Sequence, residues 1–202
     1  MSKIQSVIED IKHGIPVVLV DDYDRENEAD VVIAATKATY HNILFMINYA
    51  KGLMCIPCTD DTLNRLKIPM MPRNNKDKHG TPFTISIDAV EHTTTGMSVD
   101  DRLKTISVMV NENSVPDELS QPGHLFPLRA HPNLLKGRRG HTEGSIELVK
   151  LANLPLVSII VEIMNPNGTM AKGVQIEDFA KTFNLKTISV QEIYDEVYNK
   201  GV

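Results

Sequence analysis

No apolar run in this chain approaches the roughly 18 residues that a membrane span needs. The first residues, MSKIQSVIEDIKHG, alternate charged and apolar side chains and lack the continuous core of a signal peptide. Cysteine is scarce: Cys55 and Cys58 form a single CxxC, with neither a second pair nor histidines at finger spacing to complete a structural zinc site. Pro57 and the apolar neighbours favour an extended segment over the helix that a redox pair opens. Two ordinary thiols in a reducing cytoplasm are expected, with Cys58 open to oxidation if it is exposed. No repeat, low-complexity tract or linker is visible, so one domain is expected over residues 1–202.

What is present is an ordinary globular composition with one anomaly. The 202 residues are 42% hydrophobic and 23% charged, enough for a substantial core. Lys plus Arg number 21 and Asp plus Glu 26, a net charge of −5. Residues 21–30, DDYDRENEAD, hold six of those acids and one Arg, so the rest of the chain is balanced at 20 acids and 20 bases. A balanced chain with one acidic loop is poorly suited to nucleic acid.

Ile4, Val7, Ile8 and Ile11 recur at helical spacing and predict a short helix ending at Gly14. PVVLV (16–20) and DVVIAA (30–35) read as strands flanking the acidic loop. A helix over 39–51, a strand near 53–57, a polar loop over 72–82, a strand over 83–90 and a helix over 99–111 follow. Then come a strand over 124–130, a helix over 142–153 with Thr142 as its cap, a strand over 157–164 and a turn at 165–168. Helices over about 175–184 and about 190–199 finish the chain. Strands and helices mix without a strict alternation, which predicts an α+β domain with a mixed β-sheet core flanked by helices.

Asp21, Asp22, Asp24, Glu26, Glu28 and Asp30 cannot all ionise close together without raised pKa values or a cation. On a connection between strands, carboxylates at alternate positions aim their oxygens at one point, a donor set for Mg²⁺, or for Mn²⁺ if an imidazole joins. A solvated acidic turn is the plainer alternative. Arg25, the one cation inside, is either a substrate clamp or an internal counter-ion.

The most basic stretch is KGRRGHTE (136–143), and it has no aromatic neighbour for stacking bases. Gly137 and Gly140 let the backbone around Arg138 and Arg139 approach a ligand, and a helix N-terminus follows at His141 and Thr142. Guanidinium plus helix N-terminus suits a sugar phosphate. An exposed basic turn is the alternative, and His141 is open as a metal ligand or an ordinary side chain. Glu162 interrupts an apolar strand, which makes it either a partner for an Arg or a general base. His124 follows Pro122 and Gly123 at the start of a strand, placed like an active-site imidazole. TTTGMSVDDR (93–102) offers hydroxyls, a Gly and a helix start, all compatible with phosphate.

DDYDRENEAD, TTTGMSVDDR, QPGHLFPLRA, GRRGHTEGSIELVKLA and EIMNPNGTMA occur in this order through nearly the whole chain. Together they resemble 3,4-dihydroxy-2-butanone 4-phosphate synthase, an enzyme family of riboflavin biosynthesis. The resemblance implies a lyase that turns D-ribulose 5-phosphate into L-3,4-dihydroxy-2-butanone 4-phosphate and formate. It implies two Mg²⁺ or Mn²⁺ ions per site and a cytoplasmic homodimer with sites near its interface. Some relatives continue into a GTP cyclohydrolase II domain; the motifs here imply the monofunctional form. By the same resemblance Glu26 and His141 hold the metals, and Arg25 and Asp30 contact substrate. Arg138, Arg139, Gly140 and Thr142 serve the phosphate with help from Thr95, and His124 and Glu162 are essential for catalysis. One of Asp21, Asp24 and Glu28 is expected to be the first general base. Many relatives have Gly at Ala29, so positive φ there would strain this chain. A sugar-phosphate isomerase or aldolase would use the same parts without releasing formate, and a cation-binding scaffold would use none of them for chemistry.

Overall fold

The apolar spacing of the N-terminus is realised as helix α1 (Lys3–His13). The Ser2 hydroxyl accepts the Gln5 amide at its start, and Gly14 closes it in left-handed backbone at φ 73°. The chain is described here from a computed structural model that covers residues 2–22, 25–72 and 79–199. Strands β1 (Val17–Val20) and β2 (Ala29–Ala34) pair antiparallel, with Val20 opposite Ala29, so the acidic stretch is a hairpin loop. Ala29 lies in this strand, outside the positive-φ residues; the left-handed position in the loop is Asn27 at φ 54°. Asn is among the residues that tolerate it, so the strain expected at Ala29 does not arise.

Helix α2 (Tyr40–Phe45) widens into a π-type turn at Met46–Ala50 and leads to β3 (Cys55–Cys58) and α3 (Asp60–Arg65). Strand β4 (Ile87–Ala89), helix α4 (Val99–Val110), β5 (Leu119–Arg129) and α5 (His141–Leu151) follow. Then come β6 (Ser158–Glu162), α6 (Val174–Thr182), β7 (Thr187–Ser189) and α7 (Val190–Tyr194), which runs on as a π-type turn at Asp195–Asn199. The sheet order is β4-β5-β3-β6-β2-β1-β7. β3 with β5 and β1 with β7 are parallel, while the other neighbours are antiparallel. The fold is α+β with a mixed sheet.

Helices cover both faces of that sheet. Val31 and Ile33 of β2 join a core with Ile43, Met46, Ile106, Met109 and Ile176. Val32 and Ala34 face the other way, toward Ile4, Val7, Ile146, Val149 and Ile193. All six β2 residues are therefore buried. A fully buried aliphatic side chain contributes about 1.5–3 kcal/mol, so β2 is a firm base for the loop at its start. The second face, under α5, carries the site: Asp30 is opposite Glu162 across β2 and β6, and Cys55 is opposite Ile160.

Four local readings change. β5 starts at Leu119 instead of 124, and of 83–90 only Ile87–Ala89 is strand. α5 is capped by Gly140 and already contains Thr142. Cys58 is fully buried, so the exposure on which its oxidation depended is not met, and Cys55 is buried too. Of the polar loop 72–82, residues 73–78 lie outside the described residues, as does Asp24.

Candidate metal and substrate site

The hairpin loop is tied together from inside by one of its own acids. Asp21, fully shielded at its side chain, accepts Arg25 Nη1 at 2.7 Å, the Glu26 amide at 3.2 Å and the Glu28 amide at 2.9 Å. Arg25 Nη2 also reaches Glu26 Oε1 at 2.9 Å. Arg25 is thus the internal counter-ion that lets the carboxylates share one loop, and it turns Glu26 toward the N-terminus of α5. There His141 Nδ1 lies 3.7 Å from Glu26 Oε2 and 3.8 Å from Asp30 Oδ1. Ligand atoms of Asp21, Glu26 and His141 all fall within 4.8 Å of one another.

These groups open onto a cavity of about 420 Å³. Arg25, Glu26, Glu28 and Asp30 line it from the hairpin, Arg138, His141 and Thr142 from the start of α5, and Glu162 from β6. At the basic end, Arg138 Nη1 pairs with the fully buried Glu143 at 2.7 Å, and Nη2 donates to His79 O and Thr81 Oγ1, both at 3.3 Å. A Cβ on Gly140 would come within 2.3 Å of Arg138 Nη1 and 3.1 Å of Arg25 Nη2. The glycine is what lets two guanidinium groups close on the head of the helix.

Three buried polar atoms here have no hydrogen-bond partner among the described residues: Asp30 Oδ1, His141 Nε2 and Arg138 Nε. Buried polar groups are rarely left so, and unpaired ones cost about 1–3 kcal/mol each. Two belong to the carboxylate–imidazole group and one to the guanidinium of Arg138, and all three residues line the cavity. Those groups fit a cation at the carboxylates and imidazole and an anion at the guanidinium. Carboxylate oxygens with an imidazole suit Mg²⁺ or Mn²⁺.

Electrostatics agree with the geometry. Burial, then repulsion from Glu162, Glu26, Asp21 and Glu28, holds the Asp30 carboxyl well above the ordinary carboxylate range. Burial followed by Glu26 raises Glu28, and burial raises Glu162. Burial lowers His141, which favours the neutral imidazole that a metal binds. The metal-free fold therefore keeps the Asp30 proton to higher pH than the unfolded chain does. Asp30 favours the fold below its free value of 3.8, and that contribution is lost as pH rises through the raised value. Asp30→Asn is expected to raise the Tm of metal-free protein at pH 8, with the gain shrinking as pH falls toward 4. Identical melting curves at pH 8 contradict this.

Other expected residues lie elsewhere. Arg139, paired in sequence with Arg138, is turned toward α7: its guanidinium stacks 3.7 Å over the Tyr194 ring and bonds Gln191. It does not line the cavity: Tyr194 holds its flat face and Gln191 accepts from Nη1. Thr95 is exposed in a turn organised by Asp101, which accepts the Thr94 amide, the Thr94 hydroxyl and the Gly96 amide. His124 also lies off the cavity lining and pairs with Asp88. Conversely Cys55, Phe83, Leu128 and Ile160 form an apolar wall that the motifs gave no reason to assign. Cys55, Leu128 and Ile160 come from separate strands and meet only through sheet register, and Phe83 joins them by an isolated bridge to Leu128. His79 and Thr81 also line the cavity, and their only sequence signal is membership of the polar loop 72–82.

A family model for 3,4-dihydroxy-2-butanone 4-phosphate synthase matches residues 5–196. A protein of that name from Agrobacterium fabrum is 41% identical over 201 residues, covering 100% of this chain and 93% of the relative. One from Photobacterium phosphoreum is 43% identical over 195 residues, 96% of this chain, which spans about half (54%) of that relative. A crystal structure of a 3,4-dihydroxy-2-butanone 4-phosphate synthase in complex with two magnesium ions superimposes with a TM-score of 0.93 at 35% identity. It covers 100% of this chain and 99% of its own.

Proposed function

The chain belongs to the 3,4-dihydroxy-2-butanone 4-phosphate synthase family, and we propose that it converts D-ribulose 5-phosphate into L-3,4-dihydroxy-2-butanone 4-phosphate and formate. The observation that carries this reading is the trio of unpartnered buried atoms, Asp30 Oδ1, His141 Nε2 and Arg138 Nε, contributed by residues that line one cavity. A phosphate at Arg138 and the amides opening α5 satisfies the lone donor. The sugar oxygens then extend toward the carboxylates.

Glu26 and His141 would hold divalent ions, Mg²⁺ or Mn²⁺, with the Asp21 carboxylate beside them; two ions in a relative's crystal structure support this. Such ions supply Lewis-acid stabilisation of negative charge on adjacent substrate oxygens. The rest falls to the protein. The conversion requires enolisation, loss of the C1 hydroxyl, a carbon-skeleton shift and release of C4 as formate, each with a proton taken or given. Of the three acids considered for the first proton, both Asp21 oxygens are committed to the loop and Asp24 lies outside the described residues. Glu28 lines the cavity with its carboxyl raised by burial, which supports Glu28 over Asp21 as the first base. Glu162 Oε2 accepts the Leu53 amide at 2.8 Å, leaving Oε1 to carry later protons. Gly52 permits that pose, since a Cβ there would meet Oε2 at 2.4 Å.

The proposal includes a cytoplasmic homodimer with sites near its interface. No helix among the described residues is long and apolar enough to cross a membrane. Sedimentation equilibrium is expected to give twice the chain mass, and a single-chain mass contradicts the dimer. The reaction itself is tested by adding D-ribulose 5-phosphate and Mg²⁺ and measuring formate. An isomerase or aldolase built from the same parts releases none.

A further inference from the structure

We infer that Asp88 is a positioning residue for the reaction, fixing the ring of His124 so that Nε2 is the nitrogen left to act. The inference deepens the proposed function and rests on the role in catalysis that the family resemblance implies for His124. Asp88 holds His124 twice: Oδ2 lies 2.6 Å from the ring Nδ1, and Oδ1 accepts the His124 main-chain amide at 2.9 Å. The carboxylate side chain is 11% exposed and the ring 44%. A carboxylate can only accept, so in the neutral ring the proton sits on Nδ1 and Nε2 keeps its lone pair. An orienting carboxylate of this kind sets the tautomer on which proton transfer depends.

The backbone is arranged around this contact. Ile87 is opposite Leu125, yet Asp88 is opposite Ser120, so Gln121 to His124 form a protrusion of β5 that faces Asp88. Bulges of this sort re-aim side chains. Gly123 donates to Ser86 Oγ at 3.1 Å, and a Cβ there would lie 2.1 Å from the carbonyl carbon of Ile87. From the other side Gly96, at φ +87°, packs against the carboxylate; a Cβ on it would lie 2.1 Å from Asp88 Oδ2. Its amide is anchored to Asp101 Oδ2 at 3.1 Å. The TTTGMSVDDR turn, which the cavity does not use, therefore backs the Asp88–His124 pair.

The test uses the full chain with Mg²⁺, labelled with ¹⁵N-histidine, and His124 is assigned by its loss in His124→Gln. The parent ring is expected as the Nδ1–H tautomer, and Asp88→Asn shifts it toward Nε2–H. In Asp88→Asn, kcat for formate release falls about 100-fold while KM changes less than about threefold. In a His124→Gln background, Asp88→Asn costs less than about twofold further. If Asp88→Asn does not fold, Asp88→Glu takes its place and retains the Nδ1–H tautomer. An unchanged tautomer in Asp88→Asn, loss of the Nδ1–H form in Asp88→Glu, or an equal loss with and without His124 overturns the inference. Full formate release by His124→Gln overturns the reading of His124 instead, and the ring tautomer still decides whether Asp88 sets it.

Discussion

Glu162→Gln is expected to lower formate release by about 10³-fold while leaving KM for D-ribulose 5-phosphate within a few-fold of the parent. Gln keeps the shape of the side chain and an oxygen to accept the Leu53 amide, now at 2.8 Å, so the pose against Gly52 survives. What it loses is the exchangeable proton. Burial raises the Glu162 carboxyl, which places its titration nearer the neutral range where an acid and a base are both useful. Melting curves should show a fold at least as stable as the parent's, because a carboxylate that burial disfavours has become neutral. Near-parental kcat with raised KM would make Glu162 a binding group and contradict the scheme.

Arg138→Ala is the second large effect, and it has two separable parts. Glu143 is fully buried and, among the described residues, accepts from Arg138 Nη1 at 2.7 Å and the His131 amide at 3.1 Å. Removing the guanidinium strands a buried carboxylate, a change that costs about 3–5 kcal/mol. It also removes the unpartnered Nε proposed for the phosphate. The double variant Arg138→Met with Glu143→Gln is expected to recover most of the stability, since neither member of the pair remains charged. Its KM should stay raised by about 50-fold or more, the loss expected when a charge-assisted phosphate contact is deleted. A double variant with parental KM would place the phosphate elsewhere.

Much of this was legible from residue order, and the limits have physical causes. The hairpin flanking the acidic loop could be read because β-branched runs bracket turn-prone acids, and α1 because its apolar period and Gly14 agree. α3 was missed because DDTLNR buries only Leu63, which leaves no periodic face, and β7 because three residues carry no alternation. Arg139 looked equivalent to Arg138 because composition does not encode direction; one turn of backbone sends neighbouring guanidinium groups to opposite sides. His124 stands out in the QPGH motif, but the protrusion that holds it depends on β4, more than 30 residues away in sequence. The apolar wall of the cavity has the same origin: Cys55, Leu128 and Ile160 become neighbours only in the assembled sheet.

The central claim is that the excess of negative charge on residues 21–30 is a local arrangement for divalent cations that serve one reaction. The most direct measurement is formate release from D-ribulose 5-phosphate in the presence of Mg²⁺, then with EDTA, then after Mg²⁺ is restored, for the parent and Glu26→Gln. The account predicts formate from the parent, its abolition by EDTA, its return with Mg²⁺, and little in any arm for Glu26→Gln. Formate that persists through chelation, or at parental rate in Glu26→Gln, would contradict it.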